Sequence, residues 1–291
     1  MFKGTFTALI TPMNTDGSVD HSALKDLVEE QITSGISGLV PMGSTGESPT
    51  FTHAEHIEVI AQVVELVKGR VPVIAGTGSN ATREALDLTK KAKEAGADGS
   101  LQVAPYYNKP SQEGFYRHFS TVADNVDIPL LVYNIPGRSA KNIETGTILR
   151  LAGHPNIVGL KAASGDLAQI SDIIQSKPQG FTVVSGDDNL TYPILALGGE
   201  GVISVATHLI PGPMCDMVKA AQENDFLTAR KIHFLYMKLF KAMFLDTNPI
   251  PVKTALRLQG KISGHFRLPL CSMTEDLENQ LKGILKEYQL L

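Results

Sequence analysis

The chain has no tryptophan, only two cysteines, and aromatic residues at 6% of its 291 positions. Two thiols, Cys215 and Cys271, cannot build a disulfide framework, and they lack the C-x-x-C spacing of a zinc or redox site, so reduced, buried thiols are expected. No eighteen apolar residues run together, and the opening segment "MFKGTFTALITP" carries neither a long apolar stretch nor a small-residue cleavage site. Neither membrane insertion nor secretion is signalled, and the cytoplasm is the expected location. A surplus of positive charge is also missing: 26 basic residues face 30 acidic ones for a net charge of −4, and the basic residues occur singly or in pairs. That pattern excludes the contiguous positive stripe that a nucleic-acid backbone requires. What remains is 43% hydrophobic and 19% charged residues, the balance of a chain that buries a large core.

Short apolar runs rich in β-formers recur along the chain at 5–10, 38–43, 71–77, 100–105, 129–134, 157–162, 181–186 and 201–206. Between them lie segments with helical periodicity, such as "HSALKDLVEEQITSG", "HAEHIEVIAQVVELVKG" and "TREALDLTKKAKEAG", which end at Gly35, Gly69 and Gly96. Alternating strands and helices imply a parallel sheet, because parallel neighbours need a crossover of a dozen or so residues. Eight such units predict an α/β fold, a closed (β/α)8 TIM barrel over residues 1–222. From residue 223 the pattern turns purely helical, which predicts a C-terminal helical appendage over 223–291. Its aromatic stripe of Phe234, Tyr236, Phe240 and Phe244 is expected to be core packed against the barrel.

In such a barrel the chemistry collects at the C-terminal ends of the strands. Strand two leads into Gly43-Ser44-Thr45-Gly46-Glu47, strand four into Tyr106-Tyr107-Asn108, and strand five into Tyr133-Asn134-Ile135-Pro136-Gly137-Arg138. Strand six ends at Lys161 and strand seven at Ser185-Gly186-Asp187. A strand-end lysine can simply snorkel to water. Here hydroxyls, phenols and an arginine converge around it, which favours a catalytic amine. Such an amine attacks a carbonyl only when neutral, and at an ordinary pKa of about 10.4 only roughly 0.04% is neutral near pH 7. Apolar strand neighbours lower that pKa by desolvation, and Ala162, Ala163 and Ser164 supply no adjacent carboxylate to oppose them. An imine with a keto group is then an electron sink that turns the neighbouring carbon into an enamine nucleophile. Tyr133 is the candidate proton carrier. Arg138 presents a planar fork suited to a carboxylate, and Ser44 and Thr45 sit in a glycine-flanked turn able to bind another, so small carboxylates are the expected substrates. Structural alternatives stand beside these readings: Arg138 paired to a surface acid, Tyr106 or Tyr107 as packing residues, and "GSTG" as a permissive turn. Phosphate is the less favoured ligand, because "LGGEG" (197–201) precedes strand eight on the opposite face.

Taken together, "GSTGES" (43–48), "YNIPGR" (133–138), "GLKAASGD" (159–166) and "NPIPVKTAL" (248–256) resemble, in order and spacing, the pyruvate-dependent class I aldolase/lyase family, in particular its dihydrodipicolinate synthase branch. The resemblance covers essentially the whole chain. It implies a Schiff base between Lys161 and pyruvate, with Tyr133, Ser44 and Tyr107 as a proton relay. It implies that Thr45 holds pyruvate's carboxylate, that the backbones of Gly186 and Ile203 complete the pocket, and that Arg138 takes the carboxylate of L-aspartate 4-semialdehyde. Tyr107 would serve the neighbouring subunit within a homotetramer, a dimer of dimers. No metal or organic cofactor is implied. Two positions depart from the common pattern: Ser44 stands where threonine is frequent and Ala162 where glutamate is. Serine keeps the hydroxyl but loses the methyl that restricts its rotamer. "GSTGE" also occurs in the sialic acid lyase branch, from which Arg138 sets this chain apart. N-acetylneuraminate lyase, a 2-keto-3-deoxy sugar acid aldolase and a catalytically silent keto-acid sensor are the alternative functions.

A second set, Ser48, His53, His56, Asn80, Glu84 and Tyr106, matches the positions that bind L-lysine in feedback-inhibited members of the family. Glu84 can pair with an ammonium, and His56 and Asn80 can hydrogen-bond polar groups. His53, Glu55, His56 and Glu58 also fit an ordinary solvated helix face or a metal pair.

Overall fold

The structure is a computed structural model that describes residues 1–291. Eight strands, β1 (Gly4–Ala8), β2 (Gly38–Val40), β3 (Ile74–Gly76), β4 (Gly99–Val103), β5 (Leu130–Asn134), β6 (Ile157–Ala162), β7 (Thr182–Ser185) and β8 (Gly201–Ser204), form one parallel sheet in the order 2-1-8-7-6-5-4-3. The two ends meet where Leu39 bridges Val73 and the Leu39 amide donates to Pro72, which closes the sheet into a barrel. Every expected strand is present; β6 has the expected bounds, β1 and β4 begin one residue early, and the ends of the others lie within three residues of those expected.

Helices α1 (His21–Thr33), α2 (His53–Val67), α3 (Thr82–Glu94), α4 (Gln112–Asn125), the short α5 (Pro136–Ser139), α6 (Thr145–Ala152), α7 (Leu167–Ser176), α8 (Thr191–Ala196) and α9 (Pro211–Gln222) connect the strands and surround them. Their starts follow local chemistry. Asp20, Ser111 and Asp166 accept from backbone amides three residues on, and Thr52 and Glu55 form a reciprocal capping box. Past their ends, Gly35, Gly69 and Gly96 take the left-handed conformation that stops a helix.

Side-chain alternation divides the core. Leu101, Leu131, Tyr133, Val184 and Ile203 belong to one buried cluster, whereas Leu39, Val132, Leu160, Ala162 and Val183 belong to a second one shared with α1, α2 and α4. The first cluster runs on into α10 (Phe226–Ala242), α11 (Ile250–Leu258) and α12 (Glu275–Glu287), so these C-terminal helices share a core with the barrel.

Two expectations need correction. In the aromatic stripe only Phe240 is fully buried; Tyr236 is half-buried against Tyr288, and Phe234 and Phe244 are 65% and 46% exposed. The inward stripe of α10 passes through Ala229, His233 and Phe240, and the helical period carries residues 234 and 244 off it. The cysteines are unpaired as expected, but Cys215 is only half-buried and Cys271 is exposed.

Candidate active site

Lys161 of β6 sits directly beside Tyr133 of β5 in the parallel register. Alternation sends Leu160 and Ala162 outward and Lys161 inward, so the Ala162 departure faces the helix layer and not the lumen. Lys161 is only 6% exposed, with Nζ 4.2 Å from the centroid of the Tyr133 ring. Burial lowers the amine to about 8; Asp187 and Asp188 oppose that shift and Arg138 assists it. Opposing carboxylates are a correction to the sequence reading. The residues flanking Lys161 carry no acid, but the end of the adjacent strand β7 supplies two. Asp188 is buried and accepts from the amides of Val205 (3.2 Å) and Ala206 (2.9 Å). Asp187 is raised to about 6 by burial, against the pull of Lys161. Burial, reinforced by Asp187, pushes the Tyr133 phenol upward.

Gly186 leaves the space Lys161 occupies. An added Cβ would lie 2.9 Å from Lys161 Cε and 2.9 Å from Ala163 Cβ. Ile203 is buried in β8. In the turn after β2, Ser44 is half-buried and Thr45 is buried, its hydroxyl accepting from Asn248 Nδ2 at 2.9 Å. Arg138, on α5, binds no surface acid; it donates to the Asn248 carbonyl at 2.8 Å. Tyr107 is 89% exposed and holds a positive φ of 72°, so it does not pack within its own chain. No hydrogen bond links Ser44, Tyr133 and Tyr107 within the chain.

A cavity of about 500 Å³ joins parts of the two predicted sets: Ser44, Tyr133 and Arg138 line it, and so do Ser48, His53, His56, Glu84 and Tyr106, whereas Lys161, Thr45, Tyr107, Gly186 and Ile203 do not. Asn80 stands just behind, its Nδ2 donating to the Tyr106 carbonyl at 3.3 Å. Glu84 accepts from Ser79 at 2.7 Å. His56 is buried, with Nε2 2.7 Å from the Gly76 carbonyl, and burial holds its pKa near 4. It is therefore neutral with Nε2 donating, which leaves Nδ1 as its acceptor for a ligand. Glu55 is taken up by Arg267 and by its own capping box, and nowhere do three His, Cys, Asp or Glu side chains gather as a metal set would require.

The sequence-level model of the Dihydrodipicolinate synthetase family matches residues 1–288. This chain belongs to that family. Among dihydrodipicolinate synthetase relatives, the 4-hydroxy-tetrahydrodipicolinate synthase of Geobacter sulfurreducens is 51% identical over 291 residues, covering 100% of both chains. The chloride-inhibited dihydrodipicolinate synthase of Acinetobacter baumannii, solved with pyruvate, superposes with a TM-score of 0.98 at 40% identity over 100% of both chains. The enzyme of Cyanidioschyzon merolae, solved with lysine bound, gives 0.97 at 43% identity over 100% of this chain and 99% of that one.

Sequence reasoning missed three parts of this family site. They are the charge that Asp187, already placed at the end of strand seven, and its neighbour Asp188 exert on the amine, the reach of Asn248 to Thr45 and Arg138, and a buried pair between Glu47 and Lys253. The motif "NPIPVK" was a signal for the last two, but its partners lie far off in the chain, Arg138 at 110 residues, Thr45 at 203 and Glu47 at 206.

Proposed function

We propose that this chain is a cytoplasmic lyase that condenses pyruvate with L-aspartate 4-semialdehyde to 4-hydroxy-tetrahydrodipicolinate, the entry step of diaminopimelate and lysine biosynthesis. The observation that carries the reading is the Lys161 amine, enclosed in the barrel lumen, lowered to about 8 and in register with Tyr133. At that pKa roughly one amine in ten is neutral at pH 7, a gain of roughly 200-fold over an unperturbed lysine.

Neutral Lys161 attacks the keto carbon of pyruvate, and loss of water gives the iminium ion. Tyr133 carries protons to and from the departing oxygen, and Asp187 offers the cation a counter-charge. Tyr133, having given its proton to the departing water, takes a methyl proton to yield the enamine, whose carbon bonds to the aldehyde carbon of the second substrate while that proton passes to the aldehyde oxygen, which becomes the hydroxyl. The substrate's own amino group then attacks the imine carbon, closes the ring and releases Lys161. The Ser44–Thr45 turn, Gly186 and Ile203 hold pyruvate, and Arg138 receives the carboxylate of the aldehyde substrate. All electron flow runs through the lysine imine, with no added cofactor.

The exposed Tyr107 completes the relay of a partner subunit, so the working unit is at least a dimer, within a homotetramer. L-lysine is the effector at Ser48, His53, His56, Asn80, Glu84 and Tyr106; the lysine-bound relative from Cyanidioschyzon merolae and the shared cavity support this.

Incubation with pyruvate and borohydride, followed by peptide mapping, tests the chemistry: a reduced adduct is expected at Lys161, and one elsewhere overturns the assignment. Turnover of aspartate semialdehyde in preference to cleavage of sialic acid tests the substrate.

A further inference from the structure

Glu47, one of the residues lining the cavity, forms an ion pair with Lys253 of α11 in which both side chains are 0% exposed. Lys253 Nζ also lies 4.8 Å from the centroid of the Phe266 ring. On the other side, Glu47 holds a φ of 59°, unusual for a residue with a side chain, at the end of the turn that carries Ser44 and Thr45. The preceding Gly46 is wedged so tightly that a Cβ there would come within 2.9 Å of the Met42 amide. The turn is thus pinned at its far end by a charge from the C-terminal helices. The same segment touches the site twice more. Asn248 Nδ2 donates to Thr45 Oγ1 at 2.9 Å, and the Asn248 carbonyl accepts from Arg138 at 2.8 Å.

A buried ion pair contributes little net stability, because desolvating two charges offsets their attraction. What such a pair can supply is a fixed geometry, and here it holds the segment whose Asn248 contacts both Thr45 and Arg138. We propose that the Glu47–Lys253 pair is a positioning device, through which segment 248–253 clamps the Ser44–Thr45 turn and Arg138 into a single frame. The proposal rests on the reading that this turn holds pyruvate's carboxylate. It gives a role to the motif "NPIPVK" and makes the C-terminal helices part of the working site.

Lys253→Met alone strands a buried carboxylate and can unfold the chain for that reason, so the deciding variant is the double substitution Glu47→Gln with Lys253→Met. It removes both charges at nearly constant volume. The thermal midpoint is expected within a few degrees of wild type, with the KM for pyruvate raised about ten-fold and kcat lowered less than three-fold. At saturating pyruvate, borohydride still traps the adduct at Lys161. A folded double variant with wild-type pyruvate KM overturns the proposal, and so does one that fails to fold, since the pair then supports the core and not the turn. Thr45→Val separates the two readings. If it raises the pyruvate KM while the double variant does not, only the clamp is wrong; if neither does, the pyruvate assignment of the turn is at fault.

Discussion

Tyr133 and Lys161 are register partners on adjacent parallel strands, with the amine 4.2 Å from the centroid of the phenol ring. That pairing makes the two side chains separable by experiment. Lys161→Ala and Lys161→Arg are expected to lose at least about 1000-fold in kcat and to give no borohydride adduct. Tyr133→Phe should still form the adduct, but slowly, with turnover down about 100-fold. Mass mapping with single-turnover kinetics distinguishes the cases; a Lys161→Ala protein with wild-type turnover would sink the mechanism.

The pH dependence follows from the charges around the amine. Burial brings Lys161 to about 8, while Asp187 stabilises the ammonium and works against that shift. Imine formation should therefore rise with pH along a limb centred near 8. Asp187→Asn removes the opposing anion, so the limb should move to lower pH, while the plateau rate should fall because the iminium loses its counter-charge. An alkaline displacement in a pH series of trapping rates would contradict the arrangement.

Tyr107 offers a test of subunit exchange, since its side chain is 89% exposed and does not line the cavity shared by Ser44, Tyr133 and Arg138. Tyr107→Phe and Lys161→Ala should each be nearly inactive alone. Mixed under conditions that exchange subunits, half the dimers are hybrids and each hybrid holds one intact site, so activity should return to roughly a quarter of wild type. No recovery on mixing would confine Tyr107 to its own chain.

Stability should fall with acid for a reason unrelated to catalysis. His56, His118 and His208 are buried, and burial lowers each to about 4 from an ordinary 6.5. Between those values the unfolded chain binds more protons than the native one, so stability is complete above pH 6.5 and is lost as pH falls toward 4. Each histidine contributes a loss of roughly 3 kcal/mol at most. His118 packs edge-on to Phe119 and its Nε2 is buried without a partner. His118→Phe should accordingly flatten the decline of thermal midpoint with acid, from a midpoint at pH 7.5 lowered modestly by loss of the 2.9 Å hydrogen bond between His118 Nδ1 and the Thr82 hydroxyl. An equally steep acid profile in the variant would refute this source.

Much of the barrel was legible because its signals are local. Apolar runs, helical periodicity, capping residues and terminal glycines each act within a few residues, and the strands stand close to where they were expected. Lys161 and Tyr133 were legible for the same reason, since each occupies the end of a recognisable strand. Phe234 and Phe244 were misread because four aromatics in eleven residues look like a stripe, while the true inward line of α10 runs through His233 and Phe240.

The linear chain by itself determined the repeating unit, the closure into eight, and which residue types crown the strands, because hydrophobic period and turn chemistry are properties of neighbours. Only the folded barrel decided that Asp187 shares the field of Lys161 and that Lys253 meets Glu47. It also decided that Asn248 ties Thr45 to Arg138. Charge and hydrogen bonding act through space over a few ångströms, and which groups come that close is set by how strands and helices are packed around the ring, a distance no spacing along the sequence encodes.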